Sequence, residues 1–220
     1  MKLVRVRNSD QPLQVNKVFC LGRNYLEHAR EMRAEVPDAP VVFLKPPTAL
    51  LTNGEDIMRP PISKLLHFES ELVVAIGKTG SRVSPIKARD FIFGYGIGLD
   101  MTLRDVQDEA KKKGLPWTTA KGFDTSGPIS EIIPIAQITN RQELEFECRV
   151  NNVPRQRGSI QNMIFNPEYI ISFLSFIFTL EEGDLIFTGT PEGVGEVQEG
   201  DIIEAELKGY TKITHKVKVT

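Results

Sequence analysis

The amino-acid sequence predicts an α+β domain with a dominant β core, and three observations carry this. Strand-like runs of apolar residues outnumber the helical stretches. They succeed one another without the regular strand–helix alternation of a doubly wound sheet. The 220 residues, 40% hydrophobic and 25% charged, suit one domain large enough to bury a substantial core. Residues 1–15 read as a short N-terminal extension and residues 16–220 as the main domain.

Val15 to Leu21 reads as a buried strand and Asn24 to Met32 as a short helix. Val41 to Leu44 is a strand halted by Pro46-Pro47, and Leu50 to Pro61 is extended and rich in turn residues. Phe68 to Ile76 is a strand whose first half alternates between apolar and polar. A helix or turn begins at Ala88, and Phe93 to Thr102 is a strand interrupted by glycines. Leu103 to Lys113 is helical, with Lys111-Lys112-Lys113 as a solvated last turn and Gly114 as its stop. Leu144 to Val150 turns at Asn151-Asn152, and Val153 to Gln156 is its hairpin partner. Pro167 to Phe178 is the strongest helix candidate, with proline in its first turn. Asp184 to Phe187, Asp201 to Leu207 and Lys212 to Val219 complete the set of strands.

Composition excludes several classes. A net charge of -2 provides no basic field for nucleic acid. No apolar stretch follows Met1–Val6, so a secretory signal is not expected. The longest apolar run, Tyr169 to Leu180, falls short of the ~20 residues that span a bilayer, so no membrane segment is expected. Cys20 and Cys148 each lie in an apolar run and read as small buried hydrophobes, which fits a reducing cytoplasm.

The chemistry concentrates in a few places. Glu69 and Glu71 are two apart on a predicted strand, so both carboxylates leave the same face. The apolar run Val73–Ile76 follows at once, and two acids at the mouth of a buried strand repel unless a cation or a base compensates. Asp100 ends the glycine-rich strand. Three carboxylates with no cysteine and no paired histidines make a hard oxygen set, suited to Mg²⁺ or Mn²⁺ rather than Zn²⁺. On spacing alone, the same acids also fit a solvated strand edge. His28 and Glu31 are i, i+3 on the first helix, where a carboxylate can orient an imidazole as a base, or simply form a surface pair. Arg104 and Gln107 repeat that spacing and could present a guanidinium and an amide to a carboxylate, or line a polar helix face. Lys121 sits among alanine, glycine and aromatic residues. The loop from Thr188 to Gly195 offers backbone N–H groups to an anion, or is a tight β connection; it matches no nucleotide-binding fingerprint. His67 precedes the acidic pair as a supporting group, and His215 reads as a surface residue.

Taken together, these segments resemble the fumarylacetoacetate hydrolase family from about Val18 to Asp201. The resemblance rests on GRNYLEHAREM from Gly22, VVFLKPPTAL from Val41, HFESEL from His67, GYGIGLDMTLRDVQ from Gly94, GLPWTTAKGFDTSGPIS from Gly114, MIF at Met163 and GDLIFTGTPEGVG from Gly183. It is nearest to the small single-domain branch of acylpyruvases and oxaloacetate decarboxylases. The resemblance implies a mostly β, mixed-sheet fold like that family's C-terminal domain, usually a homodimer. It implies Glu69, Glu71 and Asp100 as ligands of Mg²⁺ or Mn²⁺, and His28, Glu31 and Lys121 as catalytic groups. It places Arg104, Gln107 and Thr190 around the substrate, with Arg23, where many relatives carry another residue, at the pocket mouth. The extra N-terminal domain and further acidic ligand of the large tyrosine-catabolic hydrolases have no counterpart here. The implied activity is cleavage of a C–C bond in a small 2-keto acid through a pyruvate enolate, as acylpyruvate hydrolase or oxaloacetate decarboxylase. An isomerase or decarboxylase of unsaturated dicarboxylic keto acids is the alternative. A non-catalytic binding protein on the same fold is the reading from another class.

Overall fold

The computed structural model describes residues 2–31 and 35–220. A mixed sheet of eight strands forms the centre, in the order Val41–Lys45, Val18–Gly22, Leu185–Phe187, Ser70–Ile76, Ile92–Leu99, Gly127–Ile129, Leu50–Thr52, with Ile133–Pro134 also pairing to Ile92–Leu99. A five-stranded sheet, Val153–Ser159, Glu145–Val150, Ile202–Leu207, Thr211–Val219 and Ile57–Arg59, packs against one face of it. The expected α+β, mostly β architecture is therefore the observed one.

Alternation along the central strand divides the core. Leu72, Val74 and Ile76 point into the large cluster shared with Phe146, Ile203, Ala205 and Ile213 of the five-stranded sheet and with Ile170, Ile171 and Leu174 of the Pro167–Ser175 helix. Val73 and Ala75 point the other way, with Val18, Cys20, Leu185 and Phe187. That second face is covered by a hairpin of Lys2–Val4 and Leu13–Val15, whose Val4, Leu13 and Val15 are buried. The segment expected to be an extension thus closes one side of the main sheet. Its two-residue alternation is legible only once the covering role is known.

Other departures have local causes. The first helix is Leu26–Glu31, and Met32 lies outside the described residues. The helix expected over Pro167 to Phe178 is Pro167–Ser175, capped by the Asn166 side chain accepting from the Tyr169 N–H. The run predicted as one strand from Phe68 is two, Leu66–Phe68 and Ser70–Ile76, in different sheets. His215 is buried, not exposed: Nδ1 lies 2.7 Å from the Glu55 carbonyl oxygen, because its position in the strand faces inward. Cys20 and Cys148 are free and buried, as expected. No helix among the described residues is long and apolar enough to cross a membrane.

The glycines of the Ile92–Leu99 strand lie opposite Ala75, Val73 and Glu71. Other chain crosses them closely: a Cβ on Gly94 would fall on the Ile133 carbonyl, and one on Gly98 would sit 2.5 Å from the Phe187 ring. Gly94→Ala should therefore destabilise the fold by about 1–3 kcal/mol, the usual cost of overfilling a packed interior. A urea midpoint equal to that of the unsubstituted protein would refute this close approach.

Candidate active site

Two neighbouring strands leave the eight-stranded sheet together and enter a three-stranded one. Ser70 faces Leu99 before the corner, and His67 faces Thr102 after it, in unbroken antiparallel register. This puts Glu69 opposite Asp100, joined by the Asp100 N–H donating to the Glu69 carbonyl at 2.7 Å. Glu71, two residues on, shares their face and opposes side-chain-free Gly98. Ligand oxygens of Glu69, Glu71 and Asp100 lie within 4.8 Å of one another, and all three residues are buried.

Three cations surround them. Lys121 Nζ sits between Glu69 Oε2 at 2.6 Å and Asp100 Oδ2 at 2.7 Å. The Arg104 guanidinium pairs with Glu69 Oε1 and also donates to Gln107 Oε1 at 2.6 Å, with Nε 3.4 Å from His67 Nδ1. The third is Lys45, which the sequence reading did not single out. It ends the Val41–Lys45 strand just before Pro46-Pro47, and its side chain is fully buried with Nζ 2.7 Å from Asp100 Oδ1. It also donates to the Lys121 carbonyl, to Ser126 Oγ at 3.1 Å and to Met101 O at 3.4 Å. A charged residue closing an apolar strand was the available signal.

Lys45 therefore spends its N–H groups on oxygens other than Asp100 Oδ1, which is buried and receives no hydrogen bond. The Lys45 ammonium 2.7 Å away offsets the charge of this oxygen without donating a hydrogen bond to it. Oxygens about 2.1 Å from a shared Mg²⁺ lie roughly 3–4 Å apart, so this cluster needs only a small contraction. The buried, all-oxygen donor set fits a hard divalent cation, with Glu69, Glu71 and Asp100 as its holders.

The electrostatics agree. Burial opposes ionisation of Glu69, but the Lys121 ammonium and the Arg104 guanidinium outweigh it and hold the carboxyl far below the usual range. Glu71 has no such partner. Burial, with Asp100 and Glu69 beside it, pushes its carboxyl well above 4.5 despite the Gly189 N–H at 2.7 Å. Burial lowers the ammonium form of Lys121, yet Asp100 and Glu69 more than restore it, so it stays charged.

The loop after Leu185–Phe187 reaches Glu71 by the same register logic, since Phe187 faces Val73. Gly189 adopts φ +97°, and a Cβ there would lie 2.7 Å from Asn24 Cβ, so only glycine can bring this N–H onto Glu71. Asn24 fastens the loop further, donating to Thr188 O at 2.7 Å and Phe165 O at 3.0 Å. Gly193 N–H reaches the two Glu31 oxygens at 3.1 and 3.2 Å. The loop's N–H groups thus bind the protein's own carboxylates instead of the external anion considered above.

Glu31 in turn lies 3.4 Å from His28 Nδ1. An Nδ1–H directed at Glu31 leaves Nε2 as the basic nitrogen. Burial lowers the His28 pKa in spite of Glu69 and Glu31, which keeps the imidazole neutral near pH 7. One cleft is lined by His28, Arg23, Glu69, Glu71, Arg104, Gln107, Lys121 and Thr190, with Phe43 and Trp117 as its aromatic wall. Asp100 lies beneath it and Glu31 behind His28. Every residue singled out from the motifs is therefore in or against one site.

Two of them also bond to their neighbours. Arg104 is already committed to Glu69, Gln107 and His67, so the Gln107 NH₂ is the amide group left without a protein acceptor among the described residues. The Thr190 hydroxyl is also committed, donating to Ser70 O at 2.9 Å and accepting from Gln156 Nε2 at 2.8 Å. Gln156, from the other sheet, was not foreseen. Its Oε1 accepts from Ser70 N and Ser70 Oγ, each at 2.9 Å, and its Nε2 also reaches Pro191 O at 2.9 Å. It locks the residue between the two glutamates to the Thr190 loop.

A buried carboxylate cluster at a strand corner, with a histidine–glutamate pair on the same cleft, defines a hard-cation site in a mostly β domain. The chain belongs to the fumarylacetoacetate hydrolase family: residues 17–218 match the profile described as Fumarylacetoacetate (FAA) hydrolase C-terminal. It is 50% identical over 201 residues to human mitochondrial oxaloacetate tautomerase FAHD1, covering 91% of each chain. Fumarylpyruvate hydrolase from Pseudomonas aeruginosa, solved with Mn²⁺ and pyruvate, superposes with a TM-score of 0.95 at 36% identity, over 99% of this chain and 96% of that one. The 5-carboxymethyl-2-hydroxymuconate delta-isomerase of Mycobacterium smegmatis superposes at 0.84 with 33% identity, over 100% of this chain and 82% of that one. The family is one of enzymes, and the acidic triad together with the Mn²⁺-bound neighbour supports divalent-metal binding here.

Two outcomes follow from this geometry. Without a cation the folded chain keeps a proton on Glu71 that the unfolded chain releases above pH 4.5, so stability falls as pH rises from there toward the raised value. Mg²⁺ or Mn²⁺ should then raise the melting temperature more at about pH 8 than at about pH 5. Glu71→Gln should remove most of that pH dependence and of the cation effect; an undiminished cation shift in this variant would take Glu71 out of the ligand set. Gln156→Leu should weaken cation binding about tenfold in titration calorimetry, by loosening the glutamates it aligns. Unchanged affinity would reduce Gln156 to a packing role.

Proposed function

We propose that this chain acts on small 2-keto acids through the C2–C3 enol, with oxaloacetate tautomerisation and decarboxylation and acylpyruvate hydrolysis as reactions of one site. The observation that carries the reading is the meeting, in one cleft, of three buried carboxylates, the Lys121 ammonium and a neutral His28 backed by Glu31. The tautomerase relatives and the pyruvate-bound neighbour support it.

Charge also favours a diacid. Ionised Glu69, Glu71 and Asp100 would equal in charge Lys45, Lys121 and Arg104, whose ion pairs fall on Glu69 and Asp100. A divalent cation then leaves two positive charges in excess, which a dicarboxylate cancels. Held by the three acids, Mg²⁺ or Mn²⁺ supplies Lewis-acid stabilisation of negative charge on the C2 oxygen. Lys121 and the Gln107 NH₂ add donors where that charge develops. In tautomerisation, His28 Nε2 takes the enol O–H proton and gives it back at C3, so that the base is restored and the keto form results. In acylpyruvate hydrolysis, Nε2 takes a proton from water as its oxygen attacks the distal carbonyl. The bond to C3 breaks, a carboxylic acid departs and C3 is protonated to give pyruvate. In decarboxylation, the C3–C4 bond breaks and its electron pair stays on C3 as CO₂ leaves, so no nucleophile is needed. The muconate isomerase neighbour favours a second reading, proton transfer along an unsaturated diacid by the same groups. Assembly as a homodimer belongs to the proposal.

The reactions separate by substitution. His28→Ala should lower acylpyruvate hydrolysis and oxaloacetate tautomerisation by about 10²–10⁴-fold, the usual contribution of a positioned base. Decarboxylation should fall much less, and Asp100→Ala should remove all three. Measuring the three rates on the same preparations decides the matter. An equal loss of hydrolysis and decarboxylation in His28→Ala, with metal binding intact, would show that His28 serves a shared step and not proton transfer to or from water.

A further inference from the structure

Two cations on the cleft have no part in the scheme above. Arg23 lines it with its backbone at φ +59°, a left-handed conformation that a non-glycine residue adopts at a cost of about 1–2 kcal/mol. The conformation is imposed from both sides. Gly22 ends a strand paired through Val41, and the Asn24 side chain is bonded to Thr188 and Phe165. Strain of this kind persists where surrounding structure enforces it, and it collects at functional positions. Here it fixes the direction in which Arg23 leaves the chain. Its guanidinium forms no ion pair or hydrogen bond among the described residues.

Lys111 is the second. Unlike Lys112 and Lys113 in the same turn, it lines the cleft, with Nζ 5.6 Å from the centre of the Trp117 ring. Its pairing with Asp108 is loose, at 3.7 Å. Exposure orders the cations from base to mouth. The side chains of Lys121 and Arg104 are 3% and 8% exposed, while that of Lys111 is 33% exposed and Arg23 is partly exposed. The carboxylate cluster is at the base, so a keto acid seated there by its C1 and C2 oxygens extends its other end toward Arg23 and Lys111.

We propose that Arg23 and Lys111 form a second anion subsite at the mouth of the cleft, which reads the distal carboxylate of a keto diacid. The pair makes this site selective for dianionic over monoanionic 2-keto acids of equal length. The inference rests on the keto-acid reading above, and binding can test the two separately.

The probes are 2-oxoglutarate and 2-oxovalerate, five-carbon 2-keto acids that differ by the distal carboxylate and carry no 4-carbonyl or 4-carboxylate to be cleaved through C3. Titration calorimetry in saturating Mg²⁺ should give the unsubstituted protein about ten- to a hundredfold preference for 2-oxoglutarate, the worth of one or two charge-assisted contacts. Arg23→Asn removes the guanidinium with a residue that tolerates positive φ, and Lys111→Met keeps an apolar stem against Trp117. Each should erase much of the preference by weakening 2-oxoglutarate, with far less effect on 2-oxovalerate, and Arg23→Lys should restore part of it. Melting temperatures within a degree or so of the parent would show that the fold is kept; if Arg23→Asn unfolds, Lys111→Met decides alone. Equal affinity of the unsubstituted protein for both acids would overturn the subsite, and so would variants that weaken both acids by one factor. Binding of neither acid would overturn the keto-acid reading itself, and this inference with it.

Discussion

Three carboxylates buried within a few ångströms of one another are the constraint from which the rest follows. Leaving one charge of a buried pair uncompensated costs about 3–5 kcal/mol, against a total stability of about 5–15 kcal/mol for a domain. The fold therefore brings Lys45, Lys121 and Arg104 to the same place from three separate segments. The compensation is uneven. Glu69 is held ionised by two cations, while Glu71 is left with one backbone N–H and a carboxyl raised by burial and by its acidic neighbours. An added positive charge would benefit most the group that has least, which is Glu71.

The corner between the two sheets makes that cluster possible. A single flat sheet would carry Glu69, Glu71 and Asp100 along one surface at strand spacing, open to solvent. Here the paired strands turn together at Glu69 and Asp100 without losing register, so the acids face inward at the bend. Each element that lines the cleft then has a structural tie to a ligand. Asn24 holds the Thr188–Gly189 backbone, Gly189 holds Glu71, and Gln156 holds Ser70. The helix bearing His28 is tied through Glu31 to Gly193 of that same loop. The histidine and the carboxylate cluster are thereby both tied to one loop.

The polar side chains of the cleft also hold one another in place. Arg104 spends three of its five N–H groups, and the Thr190 hydroxyl its proton, within the protein. Their value lies in fixing neighbours and in setting the charge of the cleft. Groups with capacity to spare include His28 Nε2, the Gln107 NH₂ and the remaining N–H groups of Lys121 and Arg104, with Arg23 and Lys111 nearer the mouth.

Sequence by itself determined the α+β class, most strand positions and the acidic cluster. Period-two alternation survives in any sheet, and Glu-x-Glu on a strand fixes a common face whatever packs on it. The motif segments also carried His28, Glu31, Lys121, Arg104 and Gln107 to one site. What sequence could not supply were relations across long chain separations. Lys45 reads as the polar end of a strand until its partner Asp100, from another strand, is in place. Gln156 is one amide in a hairpin until the second sheet docks and sets it against Ser70. His215 lies in a charged strand whose inward face appears only when the strand is paired. The break of one predicted strand at Glu69 likewise depends on which sheet each half joins. Local pattern records which way a side chain leaves its own strand; only the tertiary fold decides what it meets there, because the energy of a buried charge is set by neighbours distant in sequence.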